Sequence, residues 1–574
     1  MASTAGTKPN SRPRPVILIT GANAGLGFAT CQRLLLQLSS PTPSDTLGRS
    51  VRFASHDGTD EDPLATPFAA PHGCTLILAC RNAIKAHKAR RSLVEMVNKL
   101  KHLPDEVETP VCAEELERYN VTKPVSARKT VQKREEEDVA GKDAGSSSTA
   151  LLDSASTATQ RRKTSSSSSK PNLSQSLVSR EATARGKYRR RFCRGVRIEF
   201  VPLDLGSFAS VLNCSAQVKA RHGHLTHLIL NAGGAAFTGL DWIKATWMIM
   251  TSFKAAVTYP RYKMQRSGDI SQDGVGWVWS INVGGSWMLT QQLLPLLRAG
   301  PYEERGRVVW TGSVEAFRRY FSLEDMQCLR TDKESKAYES TKYQCDLAAV
   351  ALREELAQEG GKQPAVYLTH PGVVATSIMA DFLNVVTATA MLWCFYLARM
   401  LGSTHHCVEP YKGAISASFA CLAPKERLAA SAMMPDGRAT QLPERLQDAA
   451  QKSEASASET LVRYGSACDI WGREYVHFGR IDAWQPESDE VGKVVDNGSE
   501  EECNVRGLAR RWRDRTHEVV ERVMGEKKNG TLPPAGLMAT QDQGQGQGEE
   551  AEERQDEDDE DDSSEEWEKV DQAV

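Results

Sequence analysis

A tyrosine and a lysine lie four residues apart in a Tyr-Glu-Ser-Thr-Lys stretch, at Tyr338 and Lys342. Residues at this spacing share one face of a helix, so we expect the phenol and the ammonium to be neighbours. A free phenol has a pKa of about 10, and a nearby cation favours the phenolate and lowers that pKa. The pair therefore predicts a group that protonates a ketone, with Tyr338 as the acid and Lys342 as the residue that tunes it.

A glycine-rich turn near the start of the chain predicts a dinucleotide site. An apolar run at residues 16–19 ends at Thr20, and an apolar pattern with helical spacing follows the glycines. Glycine lets the backbone turn tightly and approach a pyrophosphate, and the amides at the helix N-terminus then face the anion. The residues of this turn that we expect to bind the cofactor are Gly21, Asn23, Gly25, Leu26 and Gly27.

Arg81 follows the second predicted strand, where an NAD-selective site often has an acidic residue for the ribose diol. An arginine there favours the 2'-phosphate of NADPH, and the alternative is a solvated loop residue. Asp204 follows the third predicted strand, where it could cap the next helix or bond the adenine. The sequence thus predicts NADPH as the cofactor.

The elements that must position these residues are short apolar strands that alternate with helical patterns. Such alternation builds a parallel sheet that is covered on both faces. The predicted fold class is α/β, a Rossmann-like doubly wound parallel sheet with long disordered insertions and a C-terminal helical extension. The predicted strands cover residues 16–19, 75–79, 196–201, 227–230, 307–310 and 365–368.

Composition narrows the class further. A chain of 574 residues could hold three or four domains, but many of its stretches are too polar and repetitive to pack, which favours one large domain with insertions. Its 13 cysteines show neither a Cys-x-x-Cys pair nor the spacing of a zinc site, which indicates a reduced, cytosolic environment and no bound metal. No nucleic-acid-binding motif is present, and the polar N-terminus is unlike a secretory signal.

We expect the insertions to stay outside the core, as solvated linkers or as sites of regulation by phosphorylation. The predicted organisation is a disordered N-terminus at 1–14, a catalytic domain at 15–485 with insertions at 39–73 and 104–191, an amphipathic helix region at 486–530, and a disordered acidic tail at 531–574.

Jointly, and in this order, the motifs resemble those of the short-chain dehydrogenase/reductase family. The resemblance covers residues 15–377 without the two insertions. Beyond the glycine turn it rests on Asp204, Asn231, Ala232, Gly233, Asn282, Ser313, Tyr338 and Lys342.

This resemblance implies a role for each of those groups. The Asn-Ala-Gly turn at 231–233 would steady the sheet beside the cofactor, Ser313 would bond the substrate oxygen, and Asn282 would hold a water in a proton relay. Lys342 would also bind the nicotinamide ribose, and Thr376 its carboxamide. The interval from Ser313 to Tyr338 is longer than in most members, which leaves Thr311 as an alternative hydroxyl.

Further stretches resemble one subgroup, the fungal 3-ketosterol reductases. They are residues 238–242, 258–263, 464–467 and 471–475, together with the long interval before Tyr338. The subgroup implies NADPH-dependent reduction of a 3-ketosterol to the 3β-alcohol during C4 demethylation in ergosterol synthesis. It also implies a sterol substrate, other C4-demethylation proteins as partners, and a place at the cytosolic face of the endoplasmic reticulum membrane or at lipid droplets.

Two alternatives remain open at this point. One is a reductase of another hydrophobic ketone or of retinoids, and the other is a non-catalytic scaffold of a sterol-synthesis complex.

Two helical segments bear on membrane contact. Residues 382–397 form the most apolar stretch of the chain, which could be a buried or substrate-binding helix, a helix in the membrane interface, or a span. The second segment has an apolar stripe and many arginines, which predicts docking on the catalytic domain or contact with anionic lipid or a partner. The stripe consists of Val505, Leu508, Trp512, Val519 and Val523.

Overall fold

In the computed structural model, residues 14–49, 62–107, 109–110, 112–118, 173–331, 336–376, 383–432, 462–481 and 505–528 are described. Their strands are β1 (Val16–Thr20), β2 (Thr75–Cys80), β3 (Arg197–Pro202), β4 (His227–Leu230), β5 (Phe237–Leu240), β6 (Lys263–Gln265), β7 (Arg307–Thr311), β8 (Ala365–His370), β9 (Val462–Cys468) and β10 (Glu474–Arg480).

Eight of these strands make one sheet in the order β10-β9-β8-β7-β4-β1-β2-β3. All neighbours in it run parallel except β9 and β10, which are antiparallel. Strands β1, β2, β4 and β7 are buried along their whole length, because helices cover both faces. The six predicted strands and the doubly wound α/β class are therefore confirmed.

The described helices cover both faces of this sheet or lie outside it. They are α1 (Gly25–Leu38), α2 (Ala83–His102), α3 (Ala113–Arg118), α4 (Leu173–Gly195), α5 (Phe208–Arg221), α6 (Trp242–Thr251), α7 (Phe253–Thr258), α8 (Trp277–Trp279), α9 (Gly285–Arg298), α10 (Ala337–Glu359), α11 (Val385–Met400), α12 (Pro410–Gly413), α13 (Ile415–Leu422), α14 (Lys425–Ala432) and α15 (Val505–Lys528). A π turn, Ser280–Gly284, joins α8 to α9, and 3-10 turns lie at Ser44–Leu47 and Arg318–Tyr320.

A small lobe separates β4 from α8. Strands β5 and β6 pair as an antiparallel ribbon, and α6 and α7 lie between them in the chain. The predicted elements did not include this ribbon, because its strands are short and mix apolar with polar residues. It matters because its last strand, β6, contacts the start of α10, where Tyr338 lies.

The prediction that neither insertion enters the core is wrong for their described parts. In the first, Phe68 is fully buried, and the Asp45 carboxylate accepts hydrogen bonds from Arg33 at 2.7 and 2.8 Å. In the second, the guanidinium of Arg189 donates to the Leu103 and Pro104 carbonyls. A few buried or hydrogen-bonded side chains are enough to fix these parts of the insertions to the domain, although the insertions are mostly polar. Residues 50–61 and 119–172, with the basic cluster at 161–165, lie outside the described residues.

The C-terminal helix α15 docks on α10, as one of the two interpretations of its pattern predicted. Trp512 is fully buried, its ring meets that of Trp287 edge-on at 5.2 Å, and its Nε1 donates to Gln344 Oε1 at 2.9 Å. Gln344 in turn donates to the Met326 carbonyl at 2.7 Å. The helix thus braces the long segment between Ser313 and Tyr338.

Helix α11, from the apolar stretch, is mostly exposed instead of buried. Val385 is 83% and Trp393 72% exposed, whereas Ala398 and Arg399 are buried. The alternative of a buried helix is therefore wrong, and a substrate-binding helix or a helix in the membrane interface stays a prediction. Among the described helices none combines the length and the apolarity that a membrane span requires.

Candidate active site

The glycine turn forms a cradle at the carboxyl end of β1. Gly21 and Gly25 have φ values of 66° and 51°, which favour glycine. A Cβ on Gly27 would lie 2.3 Å from the Gly21 carbonyl oxygen, so a side chain there is excluded. The first residue of α1 has no side-chain cap, which leaves the amides of its first turn available to an anion. The residues present therefore fit a dinucleotide pyrophosphate.

Several other predicted cofactor residues border this cradle. Asn23 and Leu26 are partly exposed in the turn, and Arg81 is exposed at the end of β2, which neighbours β1. A Cβ on Gly25 would lie 3.6 Å from the Thr376 side chain, so the structure brings Thr376 against the turn.

The alternative in which Asp204 caps the next helix is wrong. Ser207 is the N-cap of α5 and accepts from the Ser210 amide, while the Asp204 carboxylate accepts from the Gly206 amide at 2.9 Å. Asp204 shapes the loop after β3, and its bond to the adenine stays a prediction.

The Asn-Ala-Gly turn at 231–233 is tied to the end of β1. The Thr20 hydroxyl accepts from the amides of Asn231 and Ala232 at 3.0 and 2.9 Å, and the Asn231 side chain donates to the Thr20 carbonyl. A Cβ on Gly233 would lie 2.6 Å from Asn282 Oδ1 and 3.3 Å from Lys342 Nζ. This turn therefore joins the cofactor cradle to the predicted catalytic groups.

Asn282 lies in the π turn between α8 and α9. Its side chain bonds the Gly234 backbone in both directions and donates to the Thr341 hydroxyl at 2.9 Å. Its main-chain oxygen accepts a hydrogen bond from the Cys345 thiol at 3.7 Å. Because a thiol is a weak donor and a carbonyl oxygen has two lone pairs, this oxygen can accept a second hydrogen bond. A π turn displaces backbone groups from the regular hydrogen-bond pattern of a helix, so the Asn282 carbonyl can accept a hydrogen bond from outside that pattern.

The predicted acid and hydroxyl groups meet between β7 and α10. Tyr338 is in the first turn of α10, and the Ser313 hydroxyl lies within hydrogen-bonding reach of its phenol. Lys342 is buried, its Nζ lies 5.8 Å from the centroid of the Tyr338 ring, and it donates to the Thr311 carbonyl at 3.1 Å. Of the two candidate hydroxyls, the structure places Ser313 at the tyrosine, while Thr311 contributes its backbone oxygen to Lys342.

The expected lowering of the Tyr338 pKa is not found. Burial raises the pKa of Tyr338 above its ordinary value, the Glu315 carboxylate raises it further, and the bond to Ser313 opposes them only in part. Desolvation outweighs any nearby cation here. The phenol therefore stays protonated, which is the form that can give a proton to a substrate.

Sequence analysis missed the groups that surround Tyr338. Its ring lies 5.7 Å from the ring of Phe237 in β5, and its backbone amide donates to Gln265 Oε1 in β6. Lys263, at the start of β6, forms a salt bridge at 2.6 Å with Glu315, two residues after Ser313. Of the groups near Tyr338, only Glu339 could have been predicted from the sequence, because it lies inside the Tyr-Glu-Ser-Thr-Lys stretch.

A second buried ion pair supports Ser313 from behind. Arg463 in β9 pairs with Asp346 in α10, both side chains are almost fully buried, and Arg463 also donates to the Ser313 carbonyl at 3.4 Å. Asp346 lies one helical turn after Lys342, so the pair connects the catalytic helix to the Ser313 loop and to the sheet.

Within the described residues no group of histidine, cysteine, aspartate or glutamate side chains could hold a metal ion. The described cysteines are free thiols.

Comparison with known proteins places these residues in a family. The profile of the short chain dehydrogenase family matches residues 172–384, which include Asp204, Asn282, Ser313, Tyr338 and Lys342. With its doubly wound sheet and this site, the chain belongs to the short-chain dehydrogenase/reductase family, whose cofactor is a nicotinamide dinucleotide.

Its curated relatives include fungal proteins of one kind. The 3-keto-steroid reductase of Kluyveromyces lactis is 38% identical over 219 residues, covering 38% of this chain and 60% of that protein. The 3-keto-steroid reductase ERG27 of Candida albicans is 31% identical over 270 residues, covering 47% of this chain and 75% of that protein. That of Saccharomyces cerevisiae is 32% identical over 219 residues, covering 38% and 60%. The chain thus spans about 60% of the length of the first of these relatives.

A solved structure, L-sorbose reductase from Gluconobacter frateurii with NADPH and L-sorbose, is 14% identical and covers 71% of this chain and 90% of that chain. Its TM-score is 0.33, too low to support an argument.

Proposed function

We propose that this protein is an NADPH-dependent 3-ketosterol reductase that forms the 3β-hydroxysterol during C4 demethylation in ergosterol synthesis. The observation that carries the proposal is the meeting of Ser313 with Tyr338, one turn from Lys342 and adjacent through Gly233 to the glycine cradle. The printed names of the fungal relatives support the choice of a steroid ketone.

The chain's own groups supply the acid and the oxyanion contacts. Bound NADPH would supply the hydride to the carbonyl carbon. As negative charge builds on the ketone oxygen, Ser313 donates a hydrogen bond to it and Tyr338 transfers its phenolic proton. The raised pKa of Tyr338 keeps that proton in place until the oxygen becomes basic. Lys342, fixed by the Thr311 carbonyl, holds a positive charge near the phenolate that is left.

Proton replacement would then run past Asn282. Its side chain is immobilised by Gly234 and Thr341, so its main-chain oxygen is held in a fixed place. That oxygen is the group expected to hold a water in the relay, and Lys342 and Asn282 both lie against Gly233.

The assay that tests this function uses purified protein, a 4-demethylated 3-ketosterol, and NADPH or NADH in parallel. We expect oxidation of NADPH in preference to NADH, and a loss of at least about 100-fold in kcat for Tyr338→Phe. A panel with a retinal and a small cyclic ketone separates the rival reductases. Equal turnover by parent and Tyr338→Phe would contradict the proposal.

We infer that an apolar face beside the site contacts a membrane surface at the endoplasmic reticulum or a lipid droplet. The face consists of exposed side chains on α6 and α11, both of which contact α7. Tryptophan and aliphatic side chains in such numbers favour the boundary between headgroups and acyl chains. The most exposed are Trp242, Ile243, Trp247, Met250, Val385, Val386, Trp393 and Met400.

Sedimentation with phosphatidylcholine vesicles tests this face. Trp247→Glu and Trp393→Glu should each reduce the bound fraction severalfold, because a buried charge opposes insertion. Trp471→Glu is the matched control, since Trp471 is 75% exposed at the β9–β10 turn and lies outside the face. Equal binding by all three variants would remove the proposal.

Contact with other C4-demethylation proteins rests on the resemblance alone. Complementation of a reductase-deficient yeast by Tyr338→Phe distinguishes a scaffold from an enzyme. Failure of this variant to restore growth without ergosterol supports catalysis, and rescue by it supports the scaffold.

A further inference from the structure

A buried ammonium group lies beside the candidate acid and is not part of the predicted catalytic set. The side chain of Lys263, at the start of β6, is only 5% exposed. Its Nζ lies 2.7 and 2.6 Å from the two carboxylate oxygens of Glu315, and 3.6 Å from Glu339 Oε1. Burial of three ionisable groups together costs free energy, so a role beyond packing has to be considered.

Each of the two carboxylate partners of Lys263 is linked to a proposed catalytic residue, either by a hydrogen bond or as its neighbour in the chain. The Glu315 amide donates to the Ser313 hydroxyl at 3.1 Å. Glu339 follows Tyr338 in α10 and accepts from Gln265 Nε2 at 2.6 Å, and the other end of the same amide accepts from the Tyr338 backbone. The ion cluster therefore ties the small lobe, the Ser313 loop and the first turn of α10 together.

The ammonium also faces the ring of the acid. Lys263 Nζ lies 5.4 Å from the centroid of the Tyr338 ring and 5.0 Å from that of Phe237. These distances fall within the range of cation–π attraction, which is strongest where water is excluded. Since a phenolate ring is richer in electrons than a phenol ring, the attraction increases when Tyr338 loses its proton.

The charges of the cluster act on Tyr338 in opposite directions. Burial lowers the pKa of Lys263, but Glu315 and Glu339 outweigh it and raise that pKa, so the ammonium stays charged. Burial raises the pKa of Glu315, which Lys263 counteracts. A carboxylate near a phenol opposes its ionisation, and Lys263 offsets this repulsion. Among the described residues, the other titratable groups near the tyrosine and this cluster are Lys342 and Cys345 on the same helix and Lys336 just before it, whose Nζ donates to the Lys263 carbonyl at 3.2 Å.

We propose that Lys263 is a positioning residue for Tyr338, which holds the ring against the Ser313 loop and offsets the Glu315 and Glu339 charges when the phenol gives up its proton. This inference rests on the proposed function, because it assigns Lys263 to the same proton transfer. Lys342 serves the cofactor side of the tyrosine, and Lys263 serves the side of the small lobe.

The test is the pH profile of kcat/KM for ketone reduction by the full-length protein with NADPH. Reduction requires the protonated phenol, so activity falls as the pH rises through the pKa of Tyr338. Lys263→Met removes a positive charge and should move this high-pH limb upward, whereas Glu315→Gln removes a negative charge and should move it downward, each by about one pH unit. Lys263→Arg keeps the charge and should leave the limb in place even where the rate falls.

If Lys263 had only a structural role, these variants would be slower than the parent but would keep its high-pH limb at the same pH. That result would overturn the proposal. Lys244→Met, on the exposed surface of α6, is the control for loss of a lysine from the same lobe. If Lys263→Met does not fold, a limb that moves downward in Glu315→Gln and stays in place in Lys263→Arg still supports the proposal, and an unshifted limb in Glu315→Gln overturns it. If the parent protein reduces the sterol but the limb is unshifted in the variants, the result contradicts the role of Lys263 and leaves the proposed function standing. A parent that reduces no ketone overturns both proposals.

Discussion

At the scale of single residues, the proposed mechanism uses one proton donor and a set of groups that position it. Tyr338 carries the proton, Ser313 contacts its phenol, and Lys342 is fixed by a backbone carbonyl instead of by a carboxylate. This arrangement makes distinct predictions for the two hydroxyls near the end of β7.

Ser313→Ala should lower kcat/KM for ketone reduction by about 100-fold, because a hydrogen bond to the developing oxyanion is lost. Thr311→Val is the matched change, since Thr311 contacts Lys342 through its backbone oxygen, which the substitution keeps. We expect Thr311→Val to stay within about threefold of the parent. A larger loss for Thr311→Val than for Ser313→Ala would reverse the assignment.

Arg81→Asp should raise the KM for NADPH by about tenfold and leave that for NADH within about twofold, because the 2'-phosphate loses its cation and meets a carboxylate. Lys88→Asp makes the same charge change on the exposed side of α2 and should alter neither constant. Initial rates with both cofactors measure the effect. Parallel changes for NADPH and NADH would show that Arg81 does not select between them.

At the scale of elements, α10 is held from several sides. The small lobe contacts its first turn through Gln265, and α15 packs along it through Trp512 and Gln344. The long interval before Tyr338 is thus not loose, because Gln344 also bonds the Met326 carbonyl within it. An element outside the doubly wound sheet therefore stabilises the catalytic helix.

Trp512→Ala should lower the free energy of unfolding by about 3 to 5 kcal/mol, because it leaves a large cavity between α15 and α10. Trp471→Ala, at an exposed turn, should change it by less than about 0.5 kcal/mol. Urea unfolding followed by circular dichroism gives both values. Similar stabilities for the two variants would show that α15 contributes little to the fold.

The elements that sequence could predict are those whose pattern is local. β1, β4 and β7 are buried on both faces, so each appears as a continuous apolar run. The glycine turn and the Tyr338–Lys342 spacing are equally local. Lys263 and Glu315 are 52 residues apart, and no local pattern relates them. The same holds for the insertion that Phe68 anchors, where a polar composition concealed one buried aromatic side chain.

At the scale of the whole molecule, several histidines are largely removed from solvent, His227 in β4 and His405 and His406 in the loop after α11. Burial lowers the pKa of His227 to about 3, and those of His405 and His406 to about 4. His227 lies between β4 and α13, where its Nε2 contacts the Cys421 carbonyl at 2.9 Å. These neutral imidazoles link the stability of the fold to pH.

We expect the free energy of unfolding to be constant above about pH 6.5 and to fall as the pH drops from there toward 4. The folded-state pKa values lie below the unfolded value of 6.5, so the unfolded chain binds more protons in this range. A fully buried histidine contributes about 1.4 kcal/mol per pH unit. His227→Gln should flatten the dependence measured by urea unfolding, and a parent stability unchanged between pH 7 and 5 would contradict this.

The apolar face of α6 and α11 belongs to the same scale, because it relates the site to its surroundings. Helix α6 lies between β5 and β6, whose side chains contact Tyr338, so the proposed membrane-contacting helix lies in the same lobe that holds the candidate acid. A sterol partitions into bilayers, and a face of this kind next to the site would shorten its path.

The most direct test of the central claim is deuterium transfer from NADPH deuterated at the nicotinamide C4 to a 3-ketosterol, followed by mass spectrometry and stereochemical analysis of the product. The account predicts one deuterium at C3 of a 3β-alcohol with the parent protein, and at least about 100-fold less product with Tyr338→Phe. Product without deuterium at C3, or undiminished transfer by Tyr338→Phe, would contradict it.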